Sequence, residues 1–199
     1  MPGLFVTLEG IDRSGKSTQA AMLADALGAG AVAVREPGGT AAGERVRDIL
    51  KDPGVELGAE AEALLFAAAR AELVRQVIRP ALDAGRTVVC DRFLDSSLAY
   101  QGVARDMGLD PVRHINAPAV GDLAPDLTVL LWLDTAAAAS RGAEDDRFER
   151  EGGQLQRAVA GAYSALAEAE PERFVRVDAA REPEAVHADV LAAVRSAGG

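Results

Sequence analysis

"GIDRSGKST", residues Gly10 to Thr18, holds two glycines, one lysine and three hydroxyl side chains within nine residues. Gly10, Gly15, Lys16 and Ser17 satisfy G-x-x-x-x-G-K-[ST], and the segments on either side supply the context that this motif needs. Upstream, "LFVTLEG" (Leu4–Gly10) alternates apolar and polar residues and stops at glycine, the pattern of a strand entering a turn. Downstream, Lys16–Leu27 has apolar residues at helical spacing and stops at Gly28, a C-cap. A glycine turn between strand and helix lets backbone N–H groups from Gly10, Ile11, Asp12, Arg13, Ser14 and Gly15 converge on phosphate oxygens. The positive end of the helix that carries Lys16, Ser17 and Thr18 adds to that field. Lys16 then reaches the outer phosphates and Ser17 offers a hydroxyl to Mg²⁺. The bland alternative is a glycine turn holding a chance lysine.

The composition sharpens the choice. The chain has 199 residues with a formal net charge of −10, and of its 21 basic residues only Lys16 and Lys51 are lysines. A lysine inside "SGKST" therefore marks a place where a compact ammonium is wanted. An acidic chain with no basic stripe is a poor nucleic-acid binder, so no nucleic-acid partner is expected, and cations for an anionic ligand must be gathered locally. No apolar run approaches a membrane span, and "MPGLFVTLEG" lacks the start of a secretory leader, so a soluble cytoplasmic protein with no membrane partner is expected. Cys90 is the one cysteine and sits mid-strand as an inert thiol. His114 and His187 lie in helical stretches without partner ligands and read as surface or rim residues.

Four further strands follow in alternation with helices. "AVAVREPGG" breaks at Pro37-Gly38-Gly39, "RTVVCDRF" spans Arg86–Phe93, and "RFVRVDA" is the fifth strand. "LTVLLWLD" (Leu127–Asp134) is a continuous apolar run, as expected of a strand buried on both faces. Helices are expected near Ala41–Leu50, Ala59–Ala84, Arg147–Ala169 and Glu182–Ser196. Alternation of this kind predicts an α/β fold, a five-stranded parallel sheet flanked by helices, with ligands beyond the carboxyl ends of the strands. "TAAAAS" (Thr135–Ser140) is the one low-complexity stretch, no repeat or linker is visible, and residues 1–199 read as one domain.

"GIDRSGKSTQ", "REPGGT" with "GERVR" after it, "LLFAAAR", "CDRFLDSSLAYQG", "PDLTVLLWLD" and "DRFEREG" occur together and in order. In this the chain resembles the thymidylate kinase (dTMP kinase) family of P-loop nucleoside monophosphate kinases. The resemblance implies the three-layer P-loop NTPase fold, a short lid at about residues 135–150, and a homodimer joined through helices. It also implies transfer of the γ-phosphate of ATP to the 5′-phosphate of dTMP, with Mg²⁺, giving dTDP for dTTP biosynthesis. Two phosphates must then be aligned, and that chemistry is mostly positioning and charge neutralisation.

On the acceptor side, the resemblance assigns Arg92 and Arg47 to the acceptor phosphate and adds Asp91 to Ser17 as a residue for Mg²⁺. Phe66 and Arg70, four apart on one helical face, become the ring that stacks on thymine and the fork that donates to its carbonyl. Ser97 and Gln101 read the rest of the base, and Glu36 and Pro37 border the pocket. Tyr100 abuts the sugar near Asp12, disfavouring a 2′-hydroxyl. From the residues alone Asp12 is equally a turn-forming aspartate or a partner for a sugar hydroxyl or the metal. Ala69 departs from the family's usual Asp, which implies a looser hold on Arg70.

Arg13 stands where a bare backbone loop would suffice. Family members come in two arrangements, one with an arginine in the P-loop and one with arginines in the lid. Here the lid holds Glu144, Asp145 and Asp146, which are unfavourable beside a triphosphate. Arg13 is therefore assigned as the arginine finger acting in cis on the γ-phosphate, against the alternative of a solvated loop cation. Arg141 is assigned to the adenine, with Arg147 as an assistant. Two readings compete with this one: a kinase for another nucleoside monophosphate or a nucleoside, and a non-catalytic P-loop switch.

Overall fold

The computed structural model describes residues 3–142, 147–150 and 152–198, with residues 149 and 150 described by backbone only. Five parallel strands, β1 (Phe5–Glu9), β2 (Ala31–Arg35), β3 (Thr87–Asp91), β4 (Leu127–Trp132) and β5 (Phe174–Asp178), form one sheet in the order β2-β3-β1-β4-β5. β1 lies at the centre, with Thr7 level with Cys90 on one side and Thr128 on the other. The phosphate-loop turn that follows β1 is thus held at mid-sheet, beside the end of β3.

Side chains leave β1 and β3 alternately toward two cores, as the period of two requires. Phe5, Val88 and Cys90 pack with Leu73, Ile78 and Phe93; Val6, Leu8 and Val89 pack with Leu23, Val159 and Val190. β4 is buried from Leu127 to Leu131, in agreement with its unbroken apolar run, and ends at Trp132, which is 43% exposed.

The helices are α1 (Lys16–Leu27), α2 (Ala41–Lys51), α3 (Ala59–Leu73), α4 (Arg79–Asp83), α5 (Leu94–Ser97), α6 (Leu109–Val120), α7 (Thr135–Ser140), α8 (Arg147–Arg150), α9 (Gly152–Ala169) and α10 (Pro183–Gly198). Two of them have side-chain caps of immediate use. Thr40 Oγ1 accepts from the Gly43 N–H at 3.0 Å and so fixes the start of α2, a cap of about 1 kcal/mol, with Arg47 two turns further on. Asp134 caps α7 by accepting from Ala136 and Ala137.

The single long helix expected over Ala59–Ala84 is instead interrupted by a wide π-type turn at Val74–Ile78. Pro80 explains it: proline has no N–H for the Gln76 carbonyl, so the ladder just upstream must widen. A second π-type turn, Leu98–Ala104, continues α5. Ser97 therefore ends a helix and Gln101 lies in the wide turn that follows it. The acidic stretch Glu144–Asp146 lies outside the described residues. Among the described residues, no helix is long and apolar enough to cross a membrane.

Candidate active site

The carboxyl ends of β1, β2 and β3 open into one cavity of about 920 Å³, the expected place in a doubly wound sheet. Eight Lys or Arg side chains and four Asp or Glu line it, whereas the whole chain has 21 and 31. The acidic protein thus inverts its charge at this cavity, and both of its lysines are part of the wall. An anionic ligand is what such a wall attracts.

The phosphate loop forms one end. Gly10 has φ 142°, and a Cβ there would sit 2.6 Å from the Leu131 carbonyl oxygen, so only glycine fits. Gly15, at φ 93°, turns the chain into α1. Lys16 is 5% exposed and folds back on the loop, donating from Nζ to the Ile11 carbonyl at 2.7 Å and to Ser14 Oγ at 3.3 Å. Burial, helped by Arg92, pushes its ammonium down to about 8. Incoming phosphate would give that nitrogen a better partner. The expected loop positions fall as follows: Asp12, Arg13, Ser14, Gly15, Lys16, Ser17 and Thr18 line the cavity, while Ile11 is buried beneath it.

Ser17 Oγ donates to Asp91 Oδ2 at 2.5 Å, and Asp91 Oδ1 is buried without a partner among the described residues. An orphaned carboxylate oxygen beside a hydroxyl is a hard-oxygen site that fits Mg²⁺. That ion commonly takes one or two protein oxygens and completes its shell with phosphate and water. No cluster of three or more potential side-chain ligands exists among the described residues, so such an ion would depend on the bound phosphates.

Arg92 links the loop to the other end. Its backbone is left-handed, φ 70°, and its N–H is held by the Leu8 carbonyl. Nη1 donates to the Gly10 carbonyl at 3.2 Å and to Ser96 Oγ at 3.1 Å; Nη2 donates to Asp12 Oδ1 at 2.5 Å and to Tyr100 Oη at 3.3 Å. The guanidinium also lies 5.2 Å over the Tyr100 ring. Asp12, which the sequence left open, is thereby explained as the counter-charge of Arg92. Burial pushes the Asp12 carboxyl up, but Arg92 and Lys16 outweigh this and hold it below the usual carboxylate range. Gln156 on α9 clamps Asp12 from the far side, accepting from its N–H at 3.1 Å and donating to Oδ2 at 2.5 Å.

Beneath Arg92 lies Glu9, fully buried, which accepts from the Phe93 N–H, Ser96 Oγ and Tyr163 Oη, each at 2.7 Å. Burial, then nearby Asp95, pushes its carboxyl up to about 7. Glu9, Ser96, Tyr163 and Gln156 were missed in the sequence. Glu9 finds its partners 84 to 154 residues away and Gln156 meets Asp12 across 144, and no local pattern encodes such contacts.

At the other end, Phe66, Ser97, Tyr100, Gln101, Glu36 and Pro37 reach the cavity as expected, and Arg47 joins them, donating to the Pro37 carbonyl at 3.1 Å. Phe148 was not anticipated. Its ring is 6.0 Å from that of Phe66 and 6.2 Å from that of Tyr100.

Arg70 differs from expectation. It is 1% exposed and absent from the cavity wall. Nε and Nη2 donate to Glu36 Oε2 at 2.8 and 2.6 Å, Nη2 also to the Phe93 carbonyl at 3.0 Å, and Nη1 to Ser97 Oγ at 3.1 Å and to Asn116 Oδ1. All five N–H groups are thus engaged, and a base carbonyl could take one only by displacing a protein partner. Ala69 does not leave Arg70 loosely held, because Glu36, Ser97, Asn116 and the Phe93 carbonyl together engage its donors.

The arginines of the donor side also have definite places. Arg13, with φ 63°, donates to the Ala139 carbonyl at 3.4 Å at the cavity wall. Arg141 donates to the carbonyls of Arg13, at 3.2 Å, and Ala179, at 2.7 Å, next to the wall formed by Pro183 and Val186. Arg147 is turned the other way. It pairs with Glu62 at 2.6 Å, donates to the Leu50 carbonyl at 2.9 Å, and stands outside the cavity lining. Cys90 is buried, its thiol donates to the Arg92 carbonyl and burial pushes it well up, while His114 is exposed and His187 half-buried.

Residues 8–190 match the family model described as thymidylate kinase. The chain is similar to thymidylate kinases from Deinococcus radiodurans (48% identity over 98% of each chain), Pelotomaculum thermopropionicum (47%, over 97% of this chain and 93% of the other) and Desulforudis audaxviator (47%, over 98% and 92%). A parallel sheet carrying a phosphate loop at one end of a cavity whose other end is braced by Arg92 and Arg47 agrees with that match along nearly the whole chain, and the chain belongs to the thymidylate kinase family.

Proposed function

We propose that this protein phosphorylates dTMP to dTDP with ATP as the phosphoryl donor and Mg²⁺ as cofactor. The observation that carries the reading is the position of Arg92. One guanidinium hydrogen-bonds the phosphate loop at Gly10 and the Asp12–Tyr100 corner of the second pocket, so a single side chain spans donor and acceptor ends. A switch that only hydrolyses nucleotide needs no such second pocket.

In this reading Lys16 and the loop N–H groups hold the outer phosphates of ATP, and Ser17 with Asp91 holds the metal. Bound Mg²⁺ neutralises charge on the transferring group. Arg92 and Arg47 orient the acceptor phosphate in line, and Arg13 meets the charge that moves at the γ-phosphate. Phe66 stacks on the base, Ser97 and Gln101 meet its edge, and Tyr100 with Asp12 crowds the sugar. Arg141 packs on the adenine. Arg70 supports Glu36 and Ser97 from behind. The protein works in the cytoplasm as one domain per chain and as a homodimer. Leu64, an apolar side chain 57% exposed on α3, is in keeping with a helix-to-helix contact between copies.

The test is phosphoryl transfer from ATP-Mg²⁺ to dTMP, dUMP, dCMP, dGMP and thymidine. Strong preference for dTMP is expected. Transfer to a different acceptor would keep a kinase and discard the assignment of Phe66, Ser97 and Gln101. ATP hydrolysis indifferent to every acceptor would discard the kinase. Light scattering that gives a monomer mass would discard the dimer.

A further inference from the structure

Glu62, on α3 one turn before Phe66, is 1% exposed and faces into the protein rather than toward solvent. Three side chains converge on its carboxylate. Oε1 accepts from Gln101 Nε2 at 2.7 Å and from Arg105 Nε at 3.3 Å; Oε2 accepts from Arg105 Nη2 at 3.1 Å and pairs with Arg147 Nη2 at 2.6 Å. With arginines on both oxygens, this group is an acceptor on every side. That settles the orientation of the Gln101 amide, because a carboxylate can face only its NH₂ end. The carbonyl oxygen is left as the end of the amide available to the cavity that Gln101 lines.

Resting on the reading of Gln101 as a contact for the acceptor base, we propose that Glu62 is a positioning residue for acceptor specificity. By holding the amide NH₂, it presents a hydrogen-bond acceptor to the base edge. A base with an N–H at that edge, as in thymine or uracil, satisfies the oxygen. Cytosine has a bare ring nitrogen there, so two acceptors would meet, and the exclusion is as much a part of specificity as the attraction. Arg105 and Arg147 clamp the carboxylate so that it does not follow Gln101 when the base arrives.

The experiment compares kcat/KM for dTMP with that for dCMP in the wild type, Glu62→Gln, Gln101→Leu and the double variant. An amide at 62 can donate as well as accept, so it no longer dictates which end of Gln101 faces the base. The dTMP/dCMP ratio is expected to fall by about tenfold or more in Glu62→Gln. Most of the change should appear in the KM values, and the second substitution should add little once Gln101 is gone. A merely structural glutamate would lower both activities together; an unchanged ratio, or losses that simply add in the double variant, overturns the proposal. Should Glu62→Gln not fold, Glu62→Asp carries the same test, since its shorter arm still dictates polarity but reaches less well: a ratio between wild type and tenfold loss supports the proposal, and an unchanged one overturns it. A wild type without preference for dTMP overturns the underlying reading, whereas a wild type with that preference and an unmoved Glu62→Gln ratio overturns the role of Glu62 alone.

Discussion

Arg92 Nη2 lies 2.5 Å from Asp12 Oδ1, an ion pair that joins the turn after β3 to the phosphate loop after β1. Both side chains are mostly shielded, 17% and 25% exposed, so the pair is more than a surface contact. The fork of the guanidinium reaches five acceptors, the Gly10 carbonyl and the side chains of Ser96, Tyr163, Asp12 and Tyr100, which an ammonium cannot do. Arg92→Lys keeps the charge and loses the fork. It should lower kcat/KM for dTMP by about 100-fold with little change in the KM for ATP, as steady-state kinetics with each substrate varied would show. A drop of less than a few-fold would mean that charge alone suffices.

Arg13 and Arg147 differ in where they point, and their variants should differ accordingly. Arg13 lies at the cavity wall by the end of α7, while Arg147 is drawn off to Glu62 and the Leu50 carbonyl. Arg13→Ala should lower kcat by about 100-fold or more with KM values within a few-fold, the mark of a contact made mainly in the transition state. Arg147→Ala should cost far less in kcat. Equal losses would reassign the finger to the lid.

Phe66 is the half-buried ring of the acceptor pocket, and its loss should fall on binding. Stacking of a base on an aromatic ring contributes about 1–3 kcal/mol. Phe66→Ala should therefore raise the KM for dTMP by about tenfold or more, leaving the KM for ATP unchanged. A variant whose KM for dTMP stays at the wild-type value would put the base elsewhere.

The sheet and the loop were readable because their information is local. An alternating strand, a glycine turn and a helix follow one another in "LFVTLEG" and "IDRSGKST", and the apolar run of β4 states its own burial. Pro80 was visible too, though its effect, a wide turn upstream of it, is not written in the spacing of apolar residues. What the sequence did not reveal is who holds whom across the fold. Nothing near Asp12 announces Gln156, nothing near Arg92 announces Glu9, and Arg70 looks like a pocket residue until Asn116 and Glu36 are seen to occupy it. These bonds depend on how α6 packs against α3, how α9 packs against the wide turn at Leu98–Ala104, and how the ends of β1 and β3 lie side by side, and that is a property of the whole chain.

Arg70 and Glu36 form a buried pair, 1% and 3% exposed, with the Glu36 carboxyl pushed up by burial and drawn back by Arg70. Arg70→Met leaves that carboxylate without its partner and should destabilise the fold by about 3–5 kcal/mol in chemical denaturation. Adding Glu36→Leu to the same chain should recover part of the loss, since the stranded charge is then gone. If the double variant is no more stable than the single one, the damage comes from Ser97, Asn116 and the Phe93 carbonyl losing their donor instead.

Lys16 makes the pH behaviour specific. Burial first, then Arg92, pushes its ammonium down to about 8, below the value of about 10.5 for a solvated lysine. Between pH 8 and 10.5 the folded protein therefore binds fewer protons than the unfolded chain, so the Lys16 contribution to stability rises with pH across that window. The penalty for burying the charge is present in full below pH 8. Nucleotide binding has the opposite sign. A triphosphate favours the charged lysine, so ATP must bring a proton with it above pH 8, and affinity should weaken by up to about tenfold per pH unit there while Lys16 remains the titrating group. Titration calorimetry at pH 8.5 in two buffers of different ionisation enthalpy should give net proton uptake on ATP binding. In Lys16→Met that uptake should disappear. Binding that takes up no proton in the wild type at pH 8.5 would mean that Lys16 is already charged in the free protein, and the alkaline loss of affinity should then be absent as well.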